Sequence, residues 1–238
     1  MEWFPSGVAN RRMPDIEPAR ITQAGEAIKK ASPSILFVQE LRDREACDKL
    51  AAAAGIKGLN VAVCSEFKDQ TGIPIFQQCA ILTSYPVVEA AAERWHTYGV
   101  VDPPRGYAYA LLDVEGELVA CYCVHLKSNL TRKPSDNQMN ILKRELAATQ
   151  LIGRIKKTDH AGRKVTRFVI AGDFNTNIDE PAYLSEGTIR SLLEAGFRDG
   201  FEGLDKKDRV TLPASGPYPD TTFDYIFHKG FGSRKAVR

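Results

Sequence analysis

The sequence has no long apolar run. Nowhere do roughly eighteen hydrophobic residues follow one another, so no membrane-crossing helix is expected. Nor does one charge dominate: 32 Lys and Arg stand against 30 Asp and Glu, a formal net charge of +2. Any polyanion must then be met by local patches, not by a global field. Cysteine is sparse and odd in number, five in all, with no zinc-like CxxC spacing. Cys121 and Cys123, one residue apart in a strand-like run, share a face and read as small apolar packing residues rather than a metal or redox pair. The set fits a reducing compartment. The start, MEWFPSGVANRR, lacks the basic region and apolar segment of a signal peptide; if the chain is complete, a cytoplasmic protein is expected. No repeat, low-complexity tract or linker divides the chain. With 43% hydrophobic and 26% charged residues among 238, a sizeable core is expected, in one large domain or two small ones by length alone.

What is present alternates between two periods. Glu17 to Ala31 carries Pro18 near its start and Ile21, Ala24 and Ile28 on one helical face. SILFVQE, after Pro33, reads as a buried strand ending at Gln39–Glu40, and Arg44 to Ala54 as a second helix closed near Gly55. LNVAVCSEF, FQQCAILTS and GYAYALLDV read as strands. The last is joined to ELVACYCVHL through Glu115–Gly116, a short hairpin connection. Asn137 to Lys157 is the longest helical segment, with an apolar stripe of Leu142, Leu146, Leu151, Ile152 and Ile155. The strand RFVIAGDF, a helix from Thr188 to Ala195 closed by Gly196, and the strand TTFDYIF complete the series. Strands with helices between some of them predict α/β layers.

The chemistry gathers at strand ends. SILFVQE ends in Glu40, CYCVHLKSN carries His125, RFVIAGDFNTN ends in Asp173 and Asn175, and TTFDYIF holds Asp224. Singly, each has a structural explanation: a solvated strand end, a hydrogen-bonded core histidine, an Asx turn after glycine. Together they supply hard oxygen ligands of the kind Mg²⁺ or Mn²⁺ takes. A carboxamide beside the carboxylate can donate to a nucleophilic water or a phosphate, and a histidine can act on a developing phosphorane oxygen or the leaving group. These parts suit metal-assisted hydrolysis of a phosphate ester.

The segments SILFVQE, CAILTSYPV, CVHLKSN, AGDFNTN and FDYIF, in that order, make the sequence resemble the endonuclease/exonuclease/phosphatase superfamily of deoxyribonuclease-like phosphoesterases. They span Ser34 to Phe227. The resemblance implies a four-layered α/β sandwich with two central mixed sheets flanked by helices, in one domain over 1–238. It implies Glu40 as the carboxylate that binds a divalent ion, and Asp173 as the one that orients or deprotonates the attacking water and lies at the metal. Asn175 then holds the water and the scissile phosphate, His125 contacts the phosphate, and Asp224 orients a second histidine. Arg105, Lys127, Asn129 and Arg144 are weaker substrate-binding candidates, Arg144 as a helix residue facing the cleft, and Ser128 sits among them.

Two elements of the resemblance are missing. Relatives open with a strand ending in Trp-Asn and close with Ser-Asp-His, whereas this sequence starts at MEWFPSG and stops at SRKAVR. The chain is therefore expected to lack the family's first and last strands, through truncation at both ends or through strand swapping or homo-oligomerisation at open sheet edges. His228 lies four residues beyond Asp224, roughly 13 Å along a strand at about 3.3 Å per residue, too far to replace the lost histidine. The function expected is Mg²⁺- or Mn²⁺-dependent hydrolysis of a phosphodiester, a nucleic acid before a lipid or sugar phosphate. The alternative is a non-catalytic phosphate- or nucleic-acid-binding family member. Basic clusters at Lys127–Lys133, Lys156–Lys164 and Lys206–Arg209 suit nucleic acid but also read as solvated faces.

Overall fold

The computed structural model describes residues 18–69, 71–75, 77–129, 136–157, 159–160, 162–216 and 219–232. The expectation of missing end strands falls on segments outside the described residues. Eleven strands and four α-helices form among those described, which bears out the α/β class. The described residues fall into two compact units, Met1–Arg94 with Tyr107–Cys123, and Trp95–Gly106 with Val124–Arg238.

The first unit begins with α1 (Pro18–Ala31), β1 (Ile35–Leu41) and α2 (Arg44–Ala54). The α2 boundaries are set locally. Asp43 caps the start by accepting the Ala46 N–H at 2.9 Å, and Gly55 ends it in the left-handed region at φ 59°. Strands β2 (Asn60–Cys64) and β3 (Gln78–Thr83) follow. They build the antiparallel sheet β1-β3-β2, with β3 central and buried along its whole length. Ala24, Ala46, Cys47 and Leu50 of the helices pack with Leu41, Ala80 and Leu82 of the strands, and Ile21 and Ile28 close the edge of this core. The helices meet closely: a Cβ on Gly25 would lie 2.6 Å from the Ala53 carbonyl. Strands β4 (Val87–Arg94), β5 (Gly106–Val114) and β6 (Glu117–His125) are neighbours in the order β6-β5-β4. Glu115 and Gly116 both adopt positive φ, 56° and 87°, as a tight hairpin between β5 and β6 requires. Cys121 and Cys123 are fully buried. Burial pushes the Cys121 thiol up to about 12, and the Cys123 sulfur accepts from Gln39 at 3.1 Å, so packing is what these thiols do.

The sequence reading had no strand at β4. Its VVEAAAER favours helix by propensity, yet cross-strand partners decide otherwise: the Tyr107 hydroxyl donates to Glu93 at 2.5 Å.

The second unit holds α3 (Asp136–Lys156), the hairpin of β7 (Asp159–His160) and β8 (Arg163–Lys164), then β9 (Arg167–Asp173), α4 (Thr188–Glu194), β10 (Arg198–Asp199) and β11 (Asp224–Lys229). Strands β10-β11-β9 pair antiparallel. The α3 stripe differs from the one expected. Asn140, Arg144, Ala147, Ala148, Leu151 and Ile155 are buried, while Leu142 is exposed. Leu151 and Ile155 are buried as expected, while in the first turns two polar residues, Asn140 and Arg144, occupy the inward face in place of Leu142.

Gly172, one residue before the end of β9, has φ 143°, and a Cβ there would lie 1.9 Å from the Val124 carbonyl oxygen. Gly172→Ala is expected to cost about 3 kcal/mol or more through backbone overlap. Gly153→Ala, on the exposed side of α3 with nothing within 4 Å of the added carbon, should stabilise by up to about 1 kcal/mol. Urea midpoints of the two variants check this, and equal midpoints would contradict the close approach.

Candidate active site

The second unit builds the site from the ends of β6, β9 and β11. The Asp173 carbonyl accepts the Leu126 N–H at 2.8 Å, which locks the end of β9 against the chain leaving β6. Its Oδ1 accepts the Asn175 N–H at 2.8 Å, the self-bonding turn that aspartate favours. That turn puts Asn175 in the left-handed region at φ 52°. From there the Asn175 amide Nδ2 donates to the Leu126 carbonyl at 3.1 Å. One N–H of the carboxamide is therefore spent on backbone, and its orientation is fixed because only nitrogen can face a carbonyl oxygen. Phe174 turns the other way, 1% exposed, with its ring edge-on to Phe227 at 5.1 Å and Tyr225 at 5.8 Å.

His125 is buried beside this turn. Its Nε2 lies 3.6 Å from Asp173 Oδ2, longer than a hydrogen bond. Two influences oppose each other. The carboxylate favours a charged imidazole, while burial first, and then the Arg105 and Lys127 charges, disfavour it. The second set wins and holds the imidazole well below the usual histidine range, so it is neutral at pH 7. Asp224 stands directly opposite Asp173 in the β9–β11 ladder, and directly paired residues project to the same face. Burial pushes the Asp224 carboxyl up, while a hydrogen bond from the Thr211 hydroxyl pulls it down. The same hydroxyl oxygen accepts the N–H groups of Phe223 and Asp224 at 3.0 and 3.1 Å. His228 pairs with Val169 and packs on Phe231, at the far end of the strand from Asp224.

The candidate substrate contacts take other places. Arg105, at φ 67°, donates to the carbonyls of His125 and Leu126 at 2.8 and 2.6 Å. Asn129 donates to the Asn175 carbonyl and, at 3.1 Å, to the Tyr183 hydroxyl. Lys127 is half-buried and donates to the Ser128 carbonyl at 3.1 Å; burial and then the Arg105 charge lower its pKa. Arg144 does not face a cleft as expected. It is fully buried, forked onto Glu186 at 2.8 and 2.5 Å, with a third N–H on the Lys127 carbonyl at 2.9 Å.

Glu40 belongs to the first unit. It sits in β1 at φ 61°, where the pairing with β3 slips between Val38 and Leu41, and Gln77 donates to its Oε1 at 3.4 Å. Five non-glycine residues have positive φ among the described residues, Glu40, Arg105 and Asn175 among them. Such conformations cost about 1 kcal/mol or more and collect at functional sites.

No group of three or more His, Cys, Asp or Glu side chains is assembled among the described residues. The donors present, the Asp173 carboxylate with the Asn175 carboxamide at its side, suit a hard divalent cation that takes one or two protein carboxylates and keeps its waters.

Residues 15–238 match the family model described as the endonuclease/exonuclease/phosphatase family, and the chain belongs to that family. A search of curated proteins finds no match. Among solved structures, an endonuclease/exonuclease/phosphatase from Beutenbergia cavernae superposes with a TM-score of 0.63 at 14% identity, covering 93% of this chain and 61% of that one. TDP2 from Caenorhabditis elegans gives 0.59 at 18%, covering 96% and 62%. Sphingomyelinase C from Streptomyces griseocarneus gives 0.59 at 18%, covering 90% and 78%. This chain thus spans about three fifths of the first two structures, and it shares with all three the fold that the resemblance implied.

Thr211, Glu186, Tyr183 and Gln77 were not anticipated. None lies in a motif, and each meets its partner across a long stretch of sequence.

Two measurements follow from this geometry. A histidine whose pKa is lowered on folding binds more protons when unfolded, so stability rises with pH. The protein is expected to lose stability as pH falls below about 6.5 toward the lower folded value, and His125→Gln should flatten that slope. Urea titrations at about pH 5, 6 and 7 test it; parallel slopes would exclude His125 as the cause. Glu40→Gly relieves the left-handed backbone and should hold or raise the melting temperature, whereas Glu40→Ala should lower it. A lower melting temperature for Glu40→Gly would remove the strain argument.

Proposed function

We propose that this chain is a divalent-metal-dependent phosphoesterase that acts on phosphodiesters, nucleic acid first among them. The observation that carries the reading is the turn in which Asp173, Asn175 and His125 meet, in a chain of this family. In the proposed reaction a water attacks phosphorus, the P–O bond to the leaving alcohol breaks, and the departing oxygen takes a proton from solvent. Asp173 accepts the water's proton at Oδ2, since Oδ1 is engaged by the Asn175 N–H. Asn175, anchored through Nδ2, presents its carboxamide oxygen to the water and so fixes the line of attack. The neutral imidazole of His125 can hydrogen-bond a phosphoryl oxygen without adding charge next to Asp173. Asp224 supports the same face. The bound cation would supply charge neutralisation at the phosphoryl oxygens and a more acidic water. Lys127 is the candidate among the basic residues for contact with a phosphate oxygen.

Preference for nucleic acid is supported by the exposed basic residues Lys156, Lys157, Arg163, Lys164, Lys206 and Lys207. A sequence-independent polyanion contact of that kind weakens steeply with salt.

The test compares wild type and Asp173→Asn on plasmid DNA, an RNA oligonucleotide, a chromogenic phosphodiester and sphingomyelin vesicles, with Mg²⁺, with Mn²⁺ and with chelator. Wild type should turn over at least one diester only with metal, and Asp173→Asn should lose about 10²–10⁴-fold in kcat. Asp173→Asn activity within threefold of wild type would sink the assignment. No turnover of any substrate, with phosphate esters still bound, would favour the non-catalytic reading.

A further inference from the structure

We propose that the buried Arg144–Glu186 pair is a positioning device for the catalytic segment, acting through the Lys127 carbonyl, and not a substrate contact. Its kinetic test rests on the phosphoesterase reading; its structural test does not.

Three consecutive carbonyls at the end of β6 are met by arginine donors. Arg105 takes the first two, those of His125 and Leu126, and Arg144 takes the third, that of Lys127, at 2.9 Å. The Leu126 carbonyl also holds the Asn175 amide. A displacement of the 125–127 backbone therefore moves His125 and reorients Asn175 together. Arg144 can hold its place because both ends are fixed. Glu186 grips it with both oxygens, and Thr188 Oγ1 donates to the same carboxylate at 2.6 Å. The next residue, Gly187, donates its N–H to Glu145 of α3 at 2.7 Å. So α3 grips the loop before α4 through two neighbouring residues, Arg144 and Glu145. Arg144 is 0% exposed and the Glu186 side chain 1%, which leaves no face for substrate.

Stability alone does not account for the pair. Desolvating two charges offsets most of their attraction, and apolar residues of similar volume replace such pairs at little or no cost in stability. What an apolar pair cannot do is donate to the Lys127 carbonyl. Lysine at 144 cannot do it either while also meeting Glu186, since it has no planar fork of donors.

The experiment uses Arg144→Lys and the double variant Arg144→Met/Glu186→Leu in the full chain. The double variant is expected to melt within a few degrees of wild type, with kcat lower by about 10–100-fold and KM within twofold, as for a small misplacement of reacting groups. Arg144→Lys should show the same split. Backbone amide signals of residues 125–128 and 175 should shift in both variants while those of the first unit stay in place. A folded double variant with kcat within twofold of wild type would overturn the proposal. So would a loss confined to KM, which marks a substrate contact, or unmoved signals at 125–128. If the double variant does not fold, Arg144→Lys carries the same test. If wild type turns over no substrate, the phosphoesterase reading fails by itself and the amide signals still decide the positioning role.

Discussion

The close approach of β9 to the end of β6 governs the candidate site. At Gly172 the two backbones are nearer than any side chain allows, and the next residue along, Asp173, can then accept the Leu126 N–H. The contact fixes the carboxylate and the imidazole relative to each other through main-chain atoms, which have few ways to relax. The Asx turn, the left-handed Asn175 and the amide bond to Leu126 all follow within two residues of it. Most of the site is therefore backbone geometry, with side chains placed as a consequence.

Such a geometry leaves polar groups that must be satisfied. A carbonyl buried without a donor costs about 1–3 kcal/mol, and the segment from His125 to Lys127 presents three in a row. Two arginines meet that need, and each brings a charge into the interior. Arg144 is balanced by Glu186, whereas Arg105 acts on His125 and Lys127 and lowers both pKa values. The guanidinium that holds the histidine's backbone thus also helps keep its ring neutral. Structure and electrostatics are coupled through one side chain.

Local signals made much of the fold legible. Asp43 and Gly55 bound α2 because caps act within a few residues, and Glu115–Gly116 marked the hairpin because tight turns need positive φ. The motif residues His125, Asp173 and Asn175 were legible for the same reason, lying within short runs whose neighbours determine where they point. What escaped was non-local. Strand β4 forms from helix-favouring alanines because β5 supplies its partner. Arg144 read as a cleft residue because its ion partner is 42 positions away in sequence. Thr211, 13 positions from the aspartate it supports, belongs to no pattern at all. A single polar residue declares its role only when its partner is known.

The charge arrangement narrows the chemistry that this face can perform. Asp173 and Asp224 emerge on the same side of neighbouring strands, and the imidazole between the chain ends carries no charge to offset them. A phosphodiester is itself an anion, so it cannot approach two carboxylates without a compensating cation. Among the described residues, Arg144 is paired with Glu186, Arg105 donates to backbone carbonyls, and Lys127 is half-buried with its pKa lowered. A hard cation seated on a carboxylate is the form of compensation that the oxygen donors present here accommodate.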